Sequence, residues 1–203
     1  MRTIGYLTVM LMLAAGAVFA QDDLFTPMKG TATPSFQMSN DKGRCLVFGT
    51  HIVKTKQSDG EIGEIVQMFD REGIAKGAAA CNVKSNPYTT INDSDNNSFY
   101  GISADFFFID TGTSVDSRIL MVYNTDTGYE VAKVGYQNEP SLVGGRYLMY
   151  DAPTSKKGRI SSCPEAAKWK RGGGGVAWVQ GKKMDLKTEI VTNVGVLRCV
   201  YME

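Results

Sequence analysis

Four consecutive apolar residues, 106–109, constrain the fold of this chain more than any other stretch. They read Phe-Phe-Phe-Ile and lie in a run over residues 99–110 that has the composition of a β-strand. Successive side chains of a strand point to opposite faces, so a strand that is apolar at every position needs cover on both faces. We therefore predict that this strand lies in the middle of a sandwich or under a covering segment.

The segments after this strand predict two hairpins. Residues 118–124 and 129–136 are β-rich and flank a Thr-Asp-Thr-Gly sequence, which is typical of a turn. Residues 142–150 contain a second, shorter strand pair around Gly144 and Gly145. Together with the apolar strand, these segments form the predicted centre of the fold.

Further strands are predicted on both sides of this centre. Residues 61–69 and 74–83 are predicted to form a hairpin, because Gly73 between them can adopt the positive φ that closes a short turn. A helix over the second segment is the alternative, which Gly73 and Gly77 disfavour. The remaining predicted strands are residues 44–53, 176–180, 184–192 and 195–202.

One helix is predicted, over residues 163–171. Ser162 and Glu165 have the spacing of a capping box, Pro164 suits the first turn, and Gly172 can end the helix. The sequence therefore predicts a mainly β fold: an antiparallel sheet, sandwich or barrel-like domain with one short α-helix near the C-terminus.

The first 20 residues have the pattern of a secretory signal peptide. Arg2 precedes a short apolar run that ends at Ala20, before polar residues. A transmembrane anchor needs about 20 predominantly apolar residues, and this run is shorter. We therefore predict an exported protein, periplasmic or secreted, without a transmembrane anchor. Its predicted parts are a signal peptide (1–20), an extended N-terminal arm (21–43) and a single β-rich domain (44–203).

The charge balance argues against nucleic-acid binding. Of the 22 Lys and Arg residues, only Arg2 lies in the predicted signal peptide, so the mature chain balances 21 basic against 21 acidic residues. Sequence-independent binding to nucleic acid needs an excess of basic groups that displaces counterions, and this chain has none. The basic residues are nevertheless concentrated towards the C-terminus, from residue 151 onwards.

The four cysteines, Cys45, Cys81, Cys163 and Cys199, predict two disulfides, because an even number in an exported chain meets an oxidising compartment. Three pairings are possible. We expect the local one, Cys45 with Cys81 and Cys163 with Cys199, since each bridge then closes a loop within one end of the chain. A zinc site is the alternative, but the chain has no CxxC motif and one histidine, His51.

Several short motifs resemble a group of exported bacterial proteins whose activity is uncharacterised. They are Asp110-Thr-Gly-Thr, Arg118-Ile-Leu-Met-Val-Tyr, Asp126-Thr-Gly and Tyr136, followed by Cys163-Pro-Glu through Trp169 and by Arg198-Cys199. The resemblance covers about half of the mature chain. It supports the hairpin at 118–136 and implies a Cys163–Cys199 pair, and it implies no activity.

A polar loop offers a weak calcium candidate. Asp93, Asp95 and Asn97 place oxygen-bearing side chains at alternate positions, as a Ca²⁺-binding loop does. Ser98 and Ala104 stand where an EF-hand needs glycine and glutamate, so that motif is excluded. A solvated turn is the alternative interpretation of this loop.

Catalytic groups are sparse. His51 could serve a serine or cysteine nucleophile as a base, but it lies inside an apolar run, which favours a structural role. Two carboxylates about 5 to 10 Å apart suffice for glycoside hydrolysis. Capping of turns by Asp explains three of the candidates, Asp110, Asp116 and Asp126, without catalysis. The full set of candidate carboxylates is Asp105, Asp110, Asp116, Asp126 and Glu130.

The last candidate is a basic and aromatic segment that surrounds a run of four glycines, 172–175. Two interpretations remain: the tryptophans anchor the core, or the segment forms a surface for an anionic partner. Its predicted partner-surface residues are Lys168, Trp169, Lys170, Arg171, Trp178, Lys182 and Lys183.

These observations predict an exported, disulfide-stabilised β-domain without a cofactor. Its expected role is non-catalytic binding of an anionic envelope polymer or another protein. The alternative is a carboxylate-dependent hydrolase that acts on an envelope polymer or glycan.

Overall fold

The computed structural model describes residues 25–40, 43–57, 63–71, 73, 75–92, 96–112, 118–158 and 163–202. The predicted signal peptide (1–20), the calcium candidates Asp93 and Asp95, the carboxylate Asp116 and the helix cap Ser162 lie outside these ranges.

Three antiparallel sheets built from consecutive strands form the described fold. The N-terminal sheet contains β1 (Phe36–Asn40), β2 (Gly43–Val47), β3 (His51–Gln57), β4 (Glu64–Asp70) and β5 (Thr89–Ile91). The central sheet contains β6 (Asn97–Ile102), β7 (Phe106–Thr111), β8 (Arg118–Asn124) and β9 (Glu130–Tyr136). The C-terminal sheet contains β10 (Ser141–Val143), β11 (Tyr147–Pro153), β12 (Gly175–Asp185), β13 (Ile190–Asn193) and β14 (Arg198–Met202), with β13 and β14 both paired to β12.

The central sheet is covered on both faces. Phe107 of β7 packs with Val53 and Met68 of the N-terminal sheet. Its neighbour Phe108 faces the other way and packs with Leu148 and Met184 of the C-terminal sheet. The alternation of side chains along β7 thus supplies two cores, which confirms the prediction that this strand is buried on both sides.

The outer face of the N-terminal sheet is covered by a 3₁₀ helix, Gly77–Cys81. Ala80 and Cys81 of this helix pack against Val47, Ile52 and Phe69. The Cys45–Cys81 disulfide ties the helix to β2 and confirms the predicted pair.

The C-terminal sheet carries the one α-helix of the described residues, α1 (Ala166–Arg171). Ala166 packs with Trp178 of β12, and the Cys163–Cys199 disulfide joins the start of the helix to β14, as predicted. Trp178 and Met184 are an even number of residues apart and share one face of β12. One half of that face therefore packs on α1 and the other half on the central sheet.

Several predicted elements differ from the structure. The predicted strand 44–53 is interrupted at residues 48–50, between the paired strands β2 and β3. Residues 77–81 form the 3₁₀ helix instead of a hairpin arm, because Gly77 has a φ of +57° and Cys81 is bridged to β2. The predicted strand 99–110 is a hairpin, β6 and β7, whose turn is closed by a backbone hydrogen bond from Ser103 to Phe106. The predicted strand 176–180 lies within the eleven-residue β12, and the predicted strand 184–192 covers the end of β12, a turn and most of β13.

The predicted N-terminal arm contributes to both cores. Phe25 is buried in the core between the N-terminal and central sheets, and Met28 in the core between the central and C-terminal sheets. Residues 36–40 of the arm form β1, which pairs with β2.

Candidate functional site

The basic segment predicted from the sequence begins on α1. Glu165 is at the N-cap position of α1 and makes no side-chain capping bond. Its predicted capping-box partner, Ser162, lies outside the described residues, so the capping box stays a prediction. The helix ends where the Gly172 N–H donates to the carbonyl oxygens of Lys168 (3.1 Å) and Trp169 (3.0 Å). Gly173 then adopts a φ of +88°, a conformation that favours glycine. The glycines therefore provide the turn that leads the chain from α1 into β12.

The two tryptophans are anchors of the C-terminal sheet. Trp178 is only 8 % exposed and packs with Cys163 and Ala166. Trp169 is half-buried and makes an edge contact with Tyr201 of β14, with ring centroids 6.2 Å apart. Because Trp178 is buried, it is not accessible to a partner and leaves the predicted surface.

Three cations of the predicted surface are exposed on α1. Lys168 Nζ lies 3.5 Å from Glu165 Oε2, whereas Lys170 and Arg171 make no ion pair with any described residue. Beside them, β14 exposes two large apolar side chains, which lie against the glycines that follow α1. We name this set the α1 surface: Lys168, Trp169, Lys170, Arg171, Tyr201 and Met202.

Lys182 and Lys183 lie apart from the α1 surface. They are neighbours on β12, so their side chains point to opposite faces of the sheet. Lys182 Nζ donates to Asn193 Oδ1 (2.6 Å), and Lys183 Nζ lies 3.9 Å from the centre of the Tyr147 ring. The five cations of the predicted segment thus do not form one surface.

Asp110 differs from its predicted role as a turn residue. It is buried in β7, where its Oδ1 accepts hydrogen bonds from the Tyr136 hydroxyl (2.6 Å) and from Arg118 Nε (3.1 Å). Arg118 also pairs with Oδ2 through a terminal nitrogen. Burial raises the pKa of Tyr136, so its hydroxyl remains a donor at neutral pH. These bonds give Asp110 a structural role within the central sheet.

The other candidate carboxylates are dispersed. Asp126 lies in the β8–β9 turn, but Asn124 caps this turn, because Asn124 Oδ1 accepts bonds from the N–H groups of residues 126 and 127. Asp105 Oδ2 lies 3.1 Å from Lys187 Nζ. Glu130 is exposed at the start of β9. Asp110 and Asp105 each pair with a cation. This pairing favours a structural role for the two carboxylates over a role in proton transfer.

A cleft that sequence reasoning missed holds two carboxylates. Glu139 and Asp151 line a cavity of about 500 Å³ on the C-terminal sheet. Asp151 Oδ2 accepts a hydrogen bond from Asn138 Nδ2 (2.7 Å), and Oδ1 pairs with Arg198. The sequence contains one indication of this cleft. The predicted Cys163–Cys199 bridge brings Arg198, the neighbour of Cys199, back towards residue 163.

His51 lies buried in β3. Its Nδ1 is 3.8 Å from Asp70 Oδ1 and 3.5 Å from the Tyr88 hydroxyl. Burial lowers the pKa of His51, and the nearby charges of Asp70 and Asp126 oppose this shift. All four cysteines are in disulfides, so none is available as a nucleophile for this histidine.

The calcium candidate is described only at Asn97. Its Nδ2 donates to the carbonyl oxygen of Asn92, and its buried Oδ1 has no partner among the described residues. Asp93 and Asp95 lie outside those residues, so the calcium site stays a prediction. The described part of the chain contains no group of three His, Cys, Asp or Glu residues that could hold a metal ion.

Fold and site together define a disulfide-stabilised, mainly β domain. Comparison of the chain with protein-family models, with curated proteins and with solved structures finds no match. Neither described helix has the length and apolar character needed to cross a membrane.

Proposed function

We propose that this chain is an exported, non-catalytic binding domain whose α1 surface docks an anionic polymer of the cell envelope. The observation that carries the proposal is the combination of two cations that make no ion pair with a described residue, Lys170 and Arg171, with the exposed side chains of Tyr201 and Met202. Arginine and tyrosine often anchor interfaces, because they offer apolar contact together with polar groups.

Export of the protein is supported by two features. The sequence before residue 21 has the pattern of a secretory leader. All four cysteines are paired, and disulfides persist mainly in oxidising compartments outside the cytosol.

Binding is better supported than the hydrolase alternative. A glycosidase needs one carboxyl group as an acid and a second as a base or nucleophile. Within the cleft, Asp151 is tied to Arg198 and Asn138 through its two oxygens. This arrangement holds the carboxylate in a fixed position and suits recognition of a ligand.

The α1 surface can be tested with a charge-neutralising variant. Lys168, Lys170 and Arg171 are replaced by Gln, which keeps a helix propensity close to that of Lys and Arg. We expect binding to immobilised polygalacturonate at low salt to weaken by at least about tenfold, because rim charges of this kind attract the polymer electrostatically. Surface plasmon resonance, with a neutral dextran surface as the blank, measures the effect.

The matched control replaces three exposed lysines elsewhere, Lys133, Lys156 and Lys157, by Gln. This control variant has the same net charge as the α1-surface variant. It should nevertheless bind as the native protein does. Binding by the native protein should also fall between 50 and 500 mM NaCl, which shortens the Debye length from about 14 to about 4 Å. Equal loss of binding in both triple variants would show that net charge, and not the α1 surface, is responsible.

A further inference from the structure

The cleft on the C-terminal sheet has two chemically different ends. It crosses the strands in the order β10, β11, β12 and β14. Glu139 and Ser141 line it on the β10 side, and Val196 and Arg198 on the β14 side. Three strand spacings separate these sides, which is about 14 Å.

The β14 end is basic and held in place. The side chain of Arg198 is 58 % exposed, whereas that of its partner Asp151 is 10 % exposed. A guanidinium has five N–H donors, and a carboxylate beneath it occupies only some of them. The buried Asp151 therefore orients Arg198 and leaves donors free towards the cleft. Lys182 follows Gly181, which is opposite Asp151 in the β11–β12 register, so its side chain points to the other face of the sheet. Arg198 is therefore the basic group at this end of the cleft.

The β10 end is acidic. Glu139 is exposed, lines the cleft and makes no ion pair with any described residue. Its carboxylate is therefore free to accept hydrogen bonds from a cationic group of a ligand. The Ser141 hydroxyl lies on the same side.

The floor and one wall are preformed. Gly181 is part of the lining, and a Cβ atom at this position would lie 2.6 Å from the carbonyl oxygen of Val194. The Gln180 amide donates to the carbonyl oxygens of Gly181 and Val194, each at 3.2 Å. These contacts hold the loop that carries Val196 against β12. Small-molecule sites are typically of this kind, with volumes of about 300 to 1,000 Å³.

From this geometry we infer that the cleft binds a short zwitterionic peptide, with its C-terminal carboxylate on Arg198 and its N-terminal ammonium on Glu139. An extended peptide spans at most about 3.3 to 3.6 Å per residue, so three residues span about 10 Å. The side chains of Glu139 and Arg198 bridge the remaining distance. The apolar side chains of Met149 and Val196 lie between the two ends. This inference does not rest on the α1 surface.

The test uses three forms of one peptide: free tri-alanine, N-acetyl tri-alanine and tri-alanine amide. Isothermal titration calorimetry with the native protein should give saturable binding of the free peptide. Each blocked form should bind at least tenfold more weakly, because it lacks one of the two charges.

Two variants assign the ends of the peptide. Glu139→Gln should weaken binding of free tri-alanine to the level of the acetylated form. Amidation of the peptide's C-terminus should weaken binding to this variant by the same factor as in the native protein. Glu130→Gln removes an exposed carboxylate outside the cleft and is the matched control, which should bind as the native protein does.

Val196 tests the basic end without breaking the Arg198–Asp151 pair. Its side chain is 78 % exposed, so either charge is tolerated by the fold. Val196→Asp should weaken binding severalfold by repelling the peptide carboxylate, and Val196→Lys should strengthen it.

The inference is overturned if tri-alanine shows no saturable binding up to 10 mM, or if the free and blocked peptides bind equally well. An unchanged preference for the free amino group in Glu139→Gln would also overturn it. Polygalacturonate binding reports on the α1 surface alone, so either proposal can fail without the other.

Discussion

His51 shows how one residue can set the pH dependence of the whole protein. Burial lowers its pKa from the usual value of 6.5, because a charged imidazole loses its hydration in the core. The unfolded chain thus takes up a proton near pH 6.5, and the folded chain only at lower pH. Between these two pH values the unfolded state binds more protons, so the free energy of unfolding falls as the pH falls.

We therefore predict that His51→Gln removes part of this pH dependence. Between pH 7.5 and 5.5, the native protein should lose stability relative to the variant, by at most about 1.4 kcal/mol per pH unit. Urea unfolding at pH 5.5, 6.5 and 7.5 measures the difference. The chain has no second histidine that could produce the same effect.

Asp70→Asn provides a control of opposite sign. Asp70 favours the protonated form of His51, so its removal should lower the pKa of His51 further. The loss of stability on acidification should then continue to lower pH than in the native protein. Parallel pH curves for the native protein and His51→Gln would show that the histidine does not contribute.

At the scale of elements, the two disulfides have equal sequence separation, but each holds a different helix to its sheet. Each joins residues 36 apart, so the loop-entropy contribution is the same, about 4 kcal/mol on the chain-entropy model. The Cys163–Cys199 bridge holds α1, a six-residue helix without a side-chain cap. Helices this short are unstable in isolation, so α1 depends on its attachment to the sheet.

We predict that replacing Cys163 and Cys199 by Ser releases α1 before the rest of the fold. Global stability should fall by about 2 to 4 kcal/mol. Amide hydrogen exchange, followed by mass spectrometry, should increase more in α1 and β14 than in β7, because the latter is buried between two sheets.

The Cys45 and Cys81 double Ser variant is the matched comparison. The Cys45–Cys81 bridge holds the 3₁₀ helix against β2. Its removal should therefore increase amide exchange in the 3₁₀ helix and leave α1 protected. If both variants increase exchange in the same segments, the bridges act only on the unfolded chain.

The elements also show how far sequence reasoning reaches. The hairpin of β8 and β9 and the burial of β7 were predictable, because strand periodicity and turn residues are local properties. The disulfide pairs are the local ones that we expected among the three possible pairings. Residues 77–81 were misassigned, since their helical turn depends on the bridge between Cys81 and Cys45.

The cleft was not predictable from local patterns. Asp151 and Arg198 are separated by 47 positions and meet only because β11 and β14 both pair with β12. Composition alone does not decide whether the two tryptophans lie in the core or on a surface. Burial of Trp178 against α1 resolves that choice for one of them.

At the scale of the whole molecule, β7 links the two cores. We predict that Phe107→Leu, which alters the core facing the N-terminal sheet, destabilises the C-terminal sheet equally. The expected cost is about 1 to 2 kcal/mol for a large-to-small change in a core. Both tryptophans lie with the C-terminal sheet, so their fluorescence reports on that sheet, while far-UV circular dichroism reports on all strands.

For Phe107→Leu, the urea midpoints from fluorescence and circular dichroism should move together. Phe108→Leu, which alters the other core, is the matched control and should show the same coincidence. A fluorescence midpoint that stays in place while the circular dichroism midpoint falls would mean that the layers unfold separately.

The order of strands within each sheet has a kinetic consequence. In all three sheets neighbouring strands follow one another along the chain, apart from the pairing of β14 with β12. Each sheet can therefore assemble from its own contiguous segment, and the entropy of closing long loops is small. Both disulfides also join cysteines within such segments. We therefore expect the sheets to stack on β7 late in folding, after the thiols can be oxidised.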